Sequence, residues 1–133
     1  MTAKSKLLRM DNVLIVVEDL EAAKAFFAEL DMEMEGETTV EGRWVDRVAG
    51  LNDVRADITM MRSPGGHSRV ELTKFHTPPA IRAEPANAPA NPLGLRRIMF
   101  AATSTASARC RSYTVPLRIC RKGCSTARSR CHR

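Results

Sequence analysis

The sequence predicts an α+β fold built on one β-α-β-β-β unit, and three observations support this. An apolar, β-branched run of strand length at residues 13–17 leads directly into a segment with helical periodicity. Further strand-like segments follow that helix before a proline-rich stretch begins at residue 77. A new strand-like segment then occupies residues 95–101, which suggests an internal repeat whose second copy is incomplete.

The first strand is predicted over residues 7–17 and the helix over about residues 20–30. Asp19 occupies the expected N-cap position, and Glu21 places a second carboxylate near the positive end of the helix dipole. The apolar residues of the helix recur at spacings of three and four and form one stripe: Leu20, Ala23, Phe26, Phe27 and Leu30. We expect the chain before residue 92 to pack around this strand and helix.

After the helix, residues 31–36 are expected to be a polar exit without regular structure. Two strand pieces are predicted at residues 38–40 and 44–48, around a turn at residues 41–42. A strand over residues 54–61, a hairpin connection at 63–67 with two glycines, and a returning strand over 69–75 complete the unit. Period-two alternation puts Glu71 and Phe75 on the face opposite Val70 and Leu72.

Charge and cysteine are distributed unevenly along the chain. Residues 1–102 carry thirteen of the Lys and Arg residues and all fifteen acidic ones, whereas residues 103–133 carry eight Lys and Arg and all four cysteines. We therefore divide the chain into a first module (1–76), a proline-rich linker (77–94), the first strand of a second module (95–102) and a basic tail (103–133). The tail lacks sustained periodicity and is expected to be disordered.

The predicted unit resembles the vicinal oxygen chelate superfamily. The resemblance rests on MDNVLIVVEDLEAAKAFFAEL, RVELTKF, the proline-rich linker and LRRIMFA, and covers about residues 7–102. That superfamily includes glyoxalase I, methylmalonyl-CoA epimerase, extradiol dioxygenases and the fosfomycin and bleomycin resistance proteins. It implies paired βαβββ modules that form a curved, partly open sheet. A divalent metal in the concave cleft commonly chelates two oxygens of a small oxygenated substrate, in lyase, isomerase or dioxygenase reactions.

The resemblance assigns metal-ligand positions to Asn12, Glu71 and Arg97. Glu71 is a good ligand, while Asn12 offers only a weak carbonyl oxygen and Arg97 is a cation that cannot ligate. A divalent metal, although common in the family, is therefore disfavoured in this chain. Arg97 suits a carboxylate or phosphate group of a ligand instead.

Two functional classes remain open at this point. One is a glyoxalase-like or dioxygenase-like enzyme in which Glu71 is the catalytic base or a metal ligand beside Asn12. The other is a metal-free small-molecule-binding protein of the resistance type, and an inactive truncated product is a variant of that alternative. The binding cleft would be lined by four further residues: Trp44, Met60, Phe75 and Arg97.

Each candidate also has a purely structural interpretation. In that interpretation Asn12 serves only as a hydrogen-bonding group at the start of a strand, and Glu71 and Arg97 pair with each other. Trp44 and Met60 are ordinary core residues in that interpretation. His67 belongs to a solvated hairpin tip and His76 to the linker.

The tail has several possible origins. Cys120, Cys124 and Cys131 do not match a common zinc spacing, and Tyr113 is the sole aromatic residue for nucleic-acid stacking. A reading-frame shift near Ala101 explains the tail best, since codons for residues 102–107 read from the third base admit Asp-Val-Asp-Gly-Val, similar to the acidic turn of the family's second module. The alternative is a genuine divergent extension.

The partners expected from the sequence are a small-molecule substrate and a second copy of the chain, because a single module leaves a sheet edge unpaired. No nucleic acid and no membrane are expected. No apolar run approaches the roughly 20 residues that span a bilayer, and a cytoplasmic location is the default expectation.

Overall fold

A computed structural model of the chain describes residues 5–82, 91, 93–95, 97–104 and 107–116. The chain divides into two compact units between Ala80 and Ile81. The first unit contains six elements in the order β1 (Val13–Val16), α1 (Leu20–Ala28), β2 (Glu33–Glu41), α2 (Arg43–Ala49), β3 (Arg55–Arg62) and β4 (Arg69–Thr77). The predicted α+β class and the βαβββ module are confirmed, with one helix in addition.

The four strands form one mixed sheet in the order β1-β4-β3-β2. β1 runs parallel to β4, and the other neighbouring pairs are antiparallel. Helix α1 packs on one side of the sheet, which we call the helix side, and the core lies between them. The buried residues of this core come from α1 and the strands and include Ile15, Leu20, Ala23, Phe27, Met61, Val70 and Leu72.

Helix α1 begins and packs as the sequence predicts. The side chain of Asp19 accepts a hydrogen bond from the Ala22 amide at 3.0 Å, which satisfies one of the free donors of the first turn. Phe27 is fully buried, and Phe26 meets its ring edge-to-face with centroids 5.2 Å apart. The helix stripe therefore supplies the largest buried side chain of the core.

The predicted strand at residues 44–48 is wrong, because these residues form helix α2. Gly42 precedes the helix at φ 102°, and Gly50 ends it in the left-handed conformation that glycine adopts readily. The Asp46 side chain accepts a hydrogen bond from the Val54 amide at 2.8 Å and ties the helix to the start of β3. Only Val45 of this helix is buried, so the sequence shows no helical stripe.

Strand β2 begins earlier than predicted, since the supposed polar exit at residues 33–36 belongs to it. Nearly every side chain of β2 is exposed, so apolar alternation does not reveal the strand. Its glutamates instead pair with cations of neighbouring elements: Glu33 with Arg62, Glu35 with Arg69, Glu37 with Lys24 and Glu41 with Arg55. These charges also discourage edge-to-edge pairing of an exposed edge strand.

Strand β1 is shorter than the predicted 7–17. Residues 5–12 precede it without strand pairing, and Leu7 and Leu8 are more than 90% exposed. The connection between β3 and β4 has the predicted hairpin form, with Gly65 and Gly66 at positive φ and the Ser63 amide bonded to the Ser68 carbonyl at 2.8 Å.

The second unit contains β5 (Arg97–Ser104) and β6 (Ser107–Pro116), an antiparallel pair. β5 begins two residues later than the predicted strand and extends further. β6 lies in the tail that was expected to be disordered, so that expectation does not hold for residues 107–116. The rest of the tail, including Cys120, Cys124 and Cys131, lies outside the described residues. Among the helices that the structure describes, none has the length and apolarity to cross a membrane.

Candidate functional site

The sheet side opposite α1, which we call the open face, carries the candidate site. Cross-strand register places Leu14 beside Glu71, Glu71 beside Met60, and Met60 beside Gly36. Because paired residues point to the same side, these four residues form one row across all four strands. Glu71 is the one carboxylate in that row and stands near its centre.

Asn12 and Glu71 are directly bonded on this face. Asn12 Nδ2 donates a hydrogen bond to Glu71 Oε2 at 2.8 Å and lies 3.9 Å from Met60 Sδ. Thr73 Oγ1, two residues along β4, lies 3.4 Å from Glu71 Oε1 and donates to it. Both described donors to the Glu71 carboxylate are neutral groups, so its negative charge is not compensated by them.

Apolar and threonine side chains flank the carboxylate. The next row on the open face contains Val16, Thr73, Ile58 and Thr38. Leu14 and Val16 are 50% and 48% exposed, so this side of the sheet is only partly covered. A half-buried carboxylate on such a surface suits a ligand that has a hydrogen-bond donor or positive charge next to an apolar body.

Helix α2 covers one end of the open face. Val45, Val54 and Ala56 form a buried cluster there, and Val40 and Phe75 pack against it. This packing closes the sheet face beyond the row of Thr73. Leu14 and Val16, at the β1 end of the rows of Glu71 and Thr73, remain about half exposed, whereas Thr73 itself is buried.

Ion pairs occupy the opposite end. Arg69 Nε and Nη2 donate to the two carboxylate oxygens of Glu35 at 2.7 and 3.1 Å, and Arg69 Nη1 lies 3.4 Å from Asp11 Oδ1. The hydrogen bond from Arg69 lowers the pKa of the Glu35 carboxyl, and the same bond raises the pKa of Arg69. Both groups therefore remain charged at neutral pH.

The structure brings together three of the predicted site residues, Asn12, Met60 and Glu71. Phe75 is on the same face but packs under α2, and Trp44 lies on α2 with 63% of its surface exposed. Arg97 is the first residue of β5, in the second unit. Its proposed contact with a ligand, or with Glu71, stays a prediction.

His67 and His76 do not join this site within the described structure. His67 lies at the β3–β4 hairpin. His76 belongs to β4 rather than to the linker, and its Nε2 is 2.7 Å from Asp57 Oδ2 on the helix side. Hydrogen bonds from His76 and then Thr39 lower the pKa of the Asp57 carboxyl. This polar cluster accounts for His76 without a ligand.

Thr73 and the Glu35–Arg69 pair were missed by sequence reasoning. Thr73 could have been found, since period-two alternation puts it on the same face as Glu71. Glu35 gave no such signal, because its position depends on an irregularity in β2 that periodicity does not predict.

The described residues do not by themselves fit a divalent metal centre. No group of three or more His, Cys, Asp and Glu side chains suited to a metal ion occurs among them. Glu71 supplies one carboxylate, but Asn12 turns its N–H group toward that carboxylate, and an amide N–H is not a metal ligand.

A Mn²⁺ titration tests this interpretation of the donor set. Mn²⁺ prefers oxygen ligands and avoids the thiols of the tail. We expect no saturable Mn²⁺ binding at Glu71 tighter than about 0.1 mM, the weak end of oxygen-ligand sites. Stoichiometric Mn²⁺ binding in the parent that disappears in Glu71→Gln would contradict the expectation. Glu41→Gln is the control, since Glu41 lies on β2 and pairs with Arg55.

Comparison with known proteins identifies the class to which this fold and site belong. The family model for the Glyoxalase/Bleomycin resistance protein/Dioxygenase superfamily matches residues 9–109. The match covers most of the chain, and the chain belongs to this superfamily. The resemblance noted from the sequence is thereby confirmed.

A solved structure gives a more particular comparison. The chain is similar to the crystal structure of a glyoxalase family protein from Bacillus cereus, with 50% sequence identity and a TM-score of 0.71. The match covers 80% of this chain and 70% of that one. No curated protein matches the chain. The chain is thus a glyoxalase family protein whose particular function has to be argued from its own residues.

Proposed function

We propose that this chain binds a small molecule on the open face of its sheet, with the Glu71 carboxylate as the acceptor for the ligand's polar end. The observation that carries the proposal is the 2.8 Å hydrogen bond from Asn12 to Glu71. This hydrogen bond fixes the orientation of the Glu71 carboxylate. Neither of the described donors to that carboxylate carries a positive charge. A fixed, partly buried anion on an apolar surface is a recognition feature rather than a packing feature.

The ligand expected from this chemistry is a small oxygenated or amine-bearing molecule. Its hydroxyl, amide or ammonium group would donate to Glu71. Its apolar part would lie over the row of Val16 and Ile58.

A second candidate function is a proton-transfer enzyme of the lyase or isomerase type. Asn12 and Thr73 hold the carboxylate of Glu71 from two sides, which is the kind of positioning a general base requires. In this case Glu71 would take a proton from a carbon next to a substrate carbonyl and return it at a neighbouring position. A bound metal ion would polarise the substrate carbonyl, but the described residues do not form a metal site by themselves.

Binding is tested with three matched probes that share one ring and differ in charge. Benzylamine and benzyl alcohol both carry a hydrogen-bond donor, whereas benzoate is negatively charged, as Glu71 is. We expect saturable binding in the order benzylamine, benzyl alcohol, benzoate, because the carboxylate attracts a cation and repels an anion. Equal binding of all three would contradict a role for Glu71.

Chemistry is tested separately by proton exchange. Hydroxyacetone in D₂O is followed by NMR with and without the protein. If the carbon-bound protons of hydroxyacetone exchange with solvent and this exchange requires Glu71, the enzyme function is favoured. If the three probes bind but hydroxyacetone does not exchange its protons, the binding function is favoured.

A homodimer is proposed as the form that completes the site. β1 is an edge strand of the sheet, and its Leu14 and Val16 side chains on the open face are about half exposed. A second copy of the chain, packed against β1, would cover these two side chains. Sedimentation of the full chain as a dimer supports this proposal, and a monomer at high concentration contradicts it.

A further inference from the structure

Arg69 and Glu71 have opposite charges on the same strand and the same face. Residues two apart on a strand are roughly 6.6 Å apart along it, a distance that an arginine side chain spans easily. An arginine–carboxylate pair at this spacing is a favourable contact. The described ion pairs of Arg69 are instead with Glu35 and Asp11.

Glu35 is the residue that holds Arg69. The guanidinium binds both oxygens of Glu35, at 2.7 and 3.1 Å, and the two side chains are only 28% and 33% exposed. The contact to Asp11 is longer, at 3.4 Å, and Asp11 is 64% exposed. The bidentate bond to Glu35 therefore dominates the placement of the guanidinium.

Glu35 reaches Arg69 because of a β-bulge. The register of β2 shifts between Met34, which pairs with Met61, and Gly36, which pairs with Met60. Glu35 is the extra residue and has no cross-strand partner in β3. A bulge of this kind redirects a side chain, and here it brings the Glu35 carboxylate to a residue of β4, two strands away in the sheet.

We propose that Glu35 is a positioning residue that holds Arg69 away from Glu71 and so leaves the Glu71 carboxylate available to a ligand. The inference rests on the proposed binding role of Glu71. Without Glu35, Arg69 would turn along β4 and neutralise Glu71, in competition with any cationic or hydrogen-bonding ligand.

The test uses four variants of the full chain: Glu35→Ala, Glu35→Gln, Arg69→Ala and the double variant Glu35→Ala/Arg69→Ala. Glu33→Ala is the matched control, because Glu33 is also a β2 glutamate but pairs with Arg62 at 3.2 Å. The milder Glu35→Gln keeps the size of the side chain if the alanine variant folds poorly.

The first readout needs no ligand. Crystal structures should show the Arg69 guanidinium on Glu35 in the parent and in Glu33→Ala, and within hydrogen-bond distance of Glu71 in Glu35→Ala. The second readout is benzylamine affinity. We expect about a tenfold loss in Glu35→Ala, consistent with competition from one charge-assisted hydrogen bond. Arg69→Ala and the double variant should bind as the parent does.

Two results would overturn the proposal. The first is a crystal structure of a Glu35 variant in which the Arg69 guanidinium remains bonded to Asp11 or points to solvent. The other is a loss of benzylamine affinity that removal of Arg69 does not restore, which would indicate a purely structural role for Glu35. If the parent binds no benzylamine, the proposed function fails, and the crystal structures still decide where Arg69 goes.

Discussion

Glu71→Gln is expected to weaken benzylamine binding roughly 10-fold to 100-fold while leaving the fold intact. The replacement keeps the shape of the side chain and removes its charge. A hydrogen bond to a charged group contributes about 1.5–3 kcal/mol, which corresponds to that range of affinity. The measurement is a calorimetric or NMR titration of parent and variant. Benzyl alcohol, which lacks the positive charge, should lose less affinity than benzylamine.

The matched control for this variant is Glu37→Gln. Glu37 also lies in the sheet and pairs with Lys24, but on the helix side. It should bind benzylamine as the parent does. A similar loss in both variants would mean that the probe senses only the net charge of the protein, and it would remove the assignment of Glu71 as the ligand's acceptor.

Phe27→Ala is expected to produce the largest loss of stability, about 3–5 kcal/mol, as for other phenylalanine truncations in a protein core. Phe27 is fully buried between α1 and the sheet, and removal of its ring would leave a cavity there. This is a large fraction of the 5–15 kcal/mol by which a typical domain is stable. Urea unfolding of parent and variant measures the difference.

Phe26→Ala is the control for that experiment, since the adjacent ring is only partly buried. Its loss should be clearly smaller than that of Phe27→Ala. Equal losses would show that the edge-to-face contact of the two rings, rather than burial under the sheet, determines the stability of α1.

The sequence predicts those parts of the fold in which burial leaves a regular pattern. Ile15 and Val17 of the apolar run, and most of the α1 stripe, are buried in the core, so the sequence pattern identifies both elements correctly. β2 and α2 bury almost nothing. β2 is held by backbone pairing and ion pairs, and α2 by two glycines and Asp46, so neither shows a periodic signal.

The candidate site also has a part that the sequence pattern predicts and a part that it does not. Met60 and Glu71 are brought together by regular strand register, so a correct alternation of faces is enough to group them. Asn12 directly precedes β1 and joins them through its hydrogen bond to Glu71. The Glu35–Arg69 pair depends on a bulge, which adds one residue to β2 and changes which side chains meet. Trp44 belongs to helix α2 rather than to the predicted strand, and its side chain is exposed there.

The open face around Glu71 is the proposed ligand site, and an NMR titration with benzylamine that maps backbone amide shifts is its sharpest test. We expect the largest shifts at Asn12, Met60, Glu71 and Thr73, and their loss in Glu71→Gln. Shifts concentrated on the helix side, at Thr39, Asp57 and His76, or an unchanged response in Glu71→Gln, would contradict the claim.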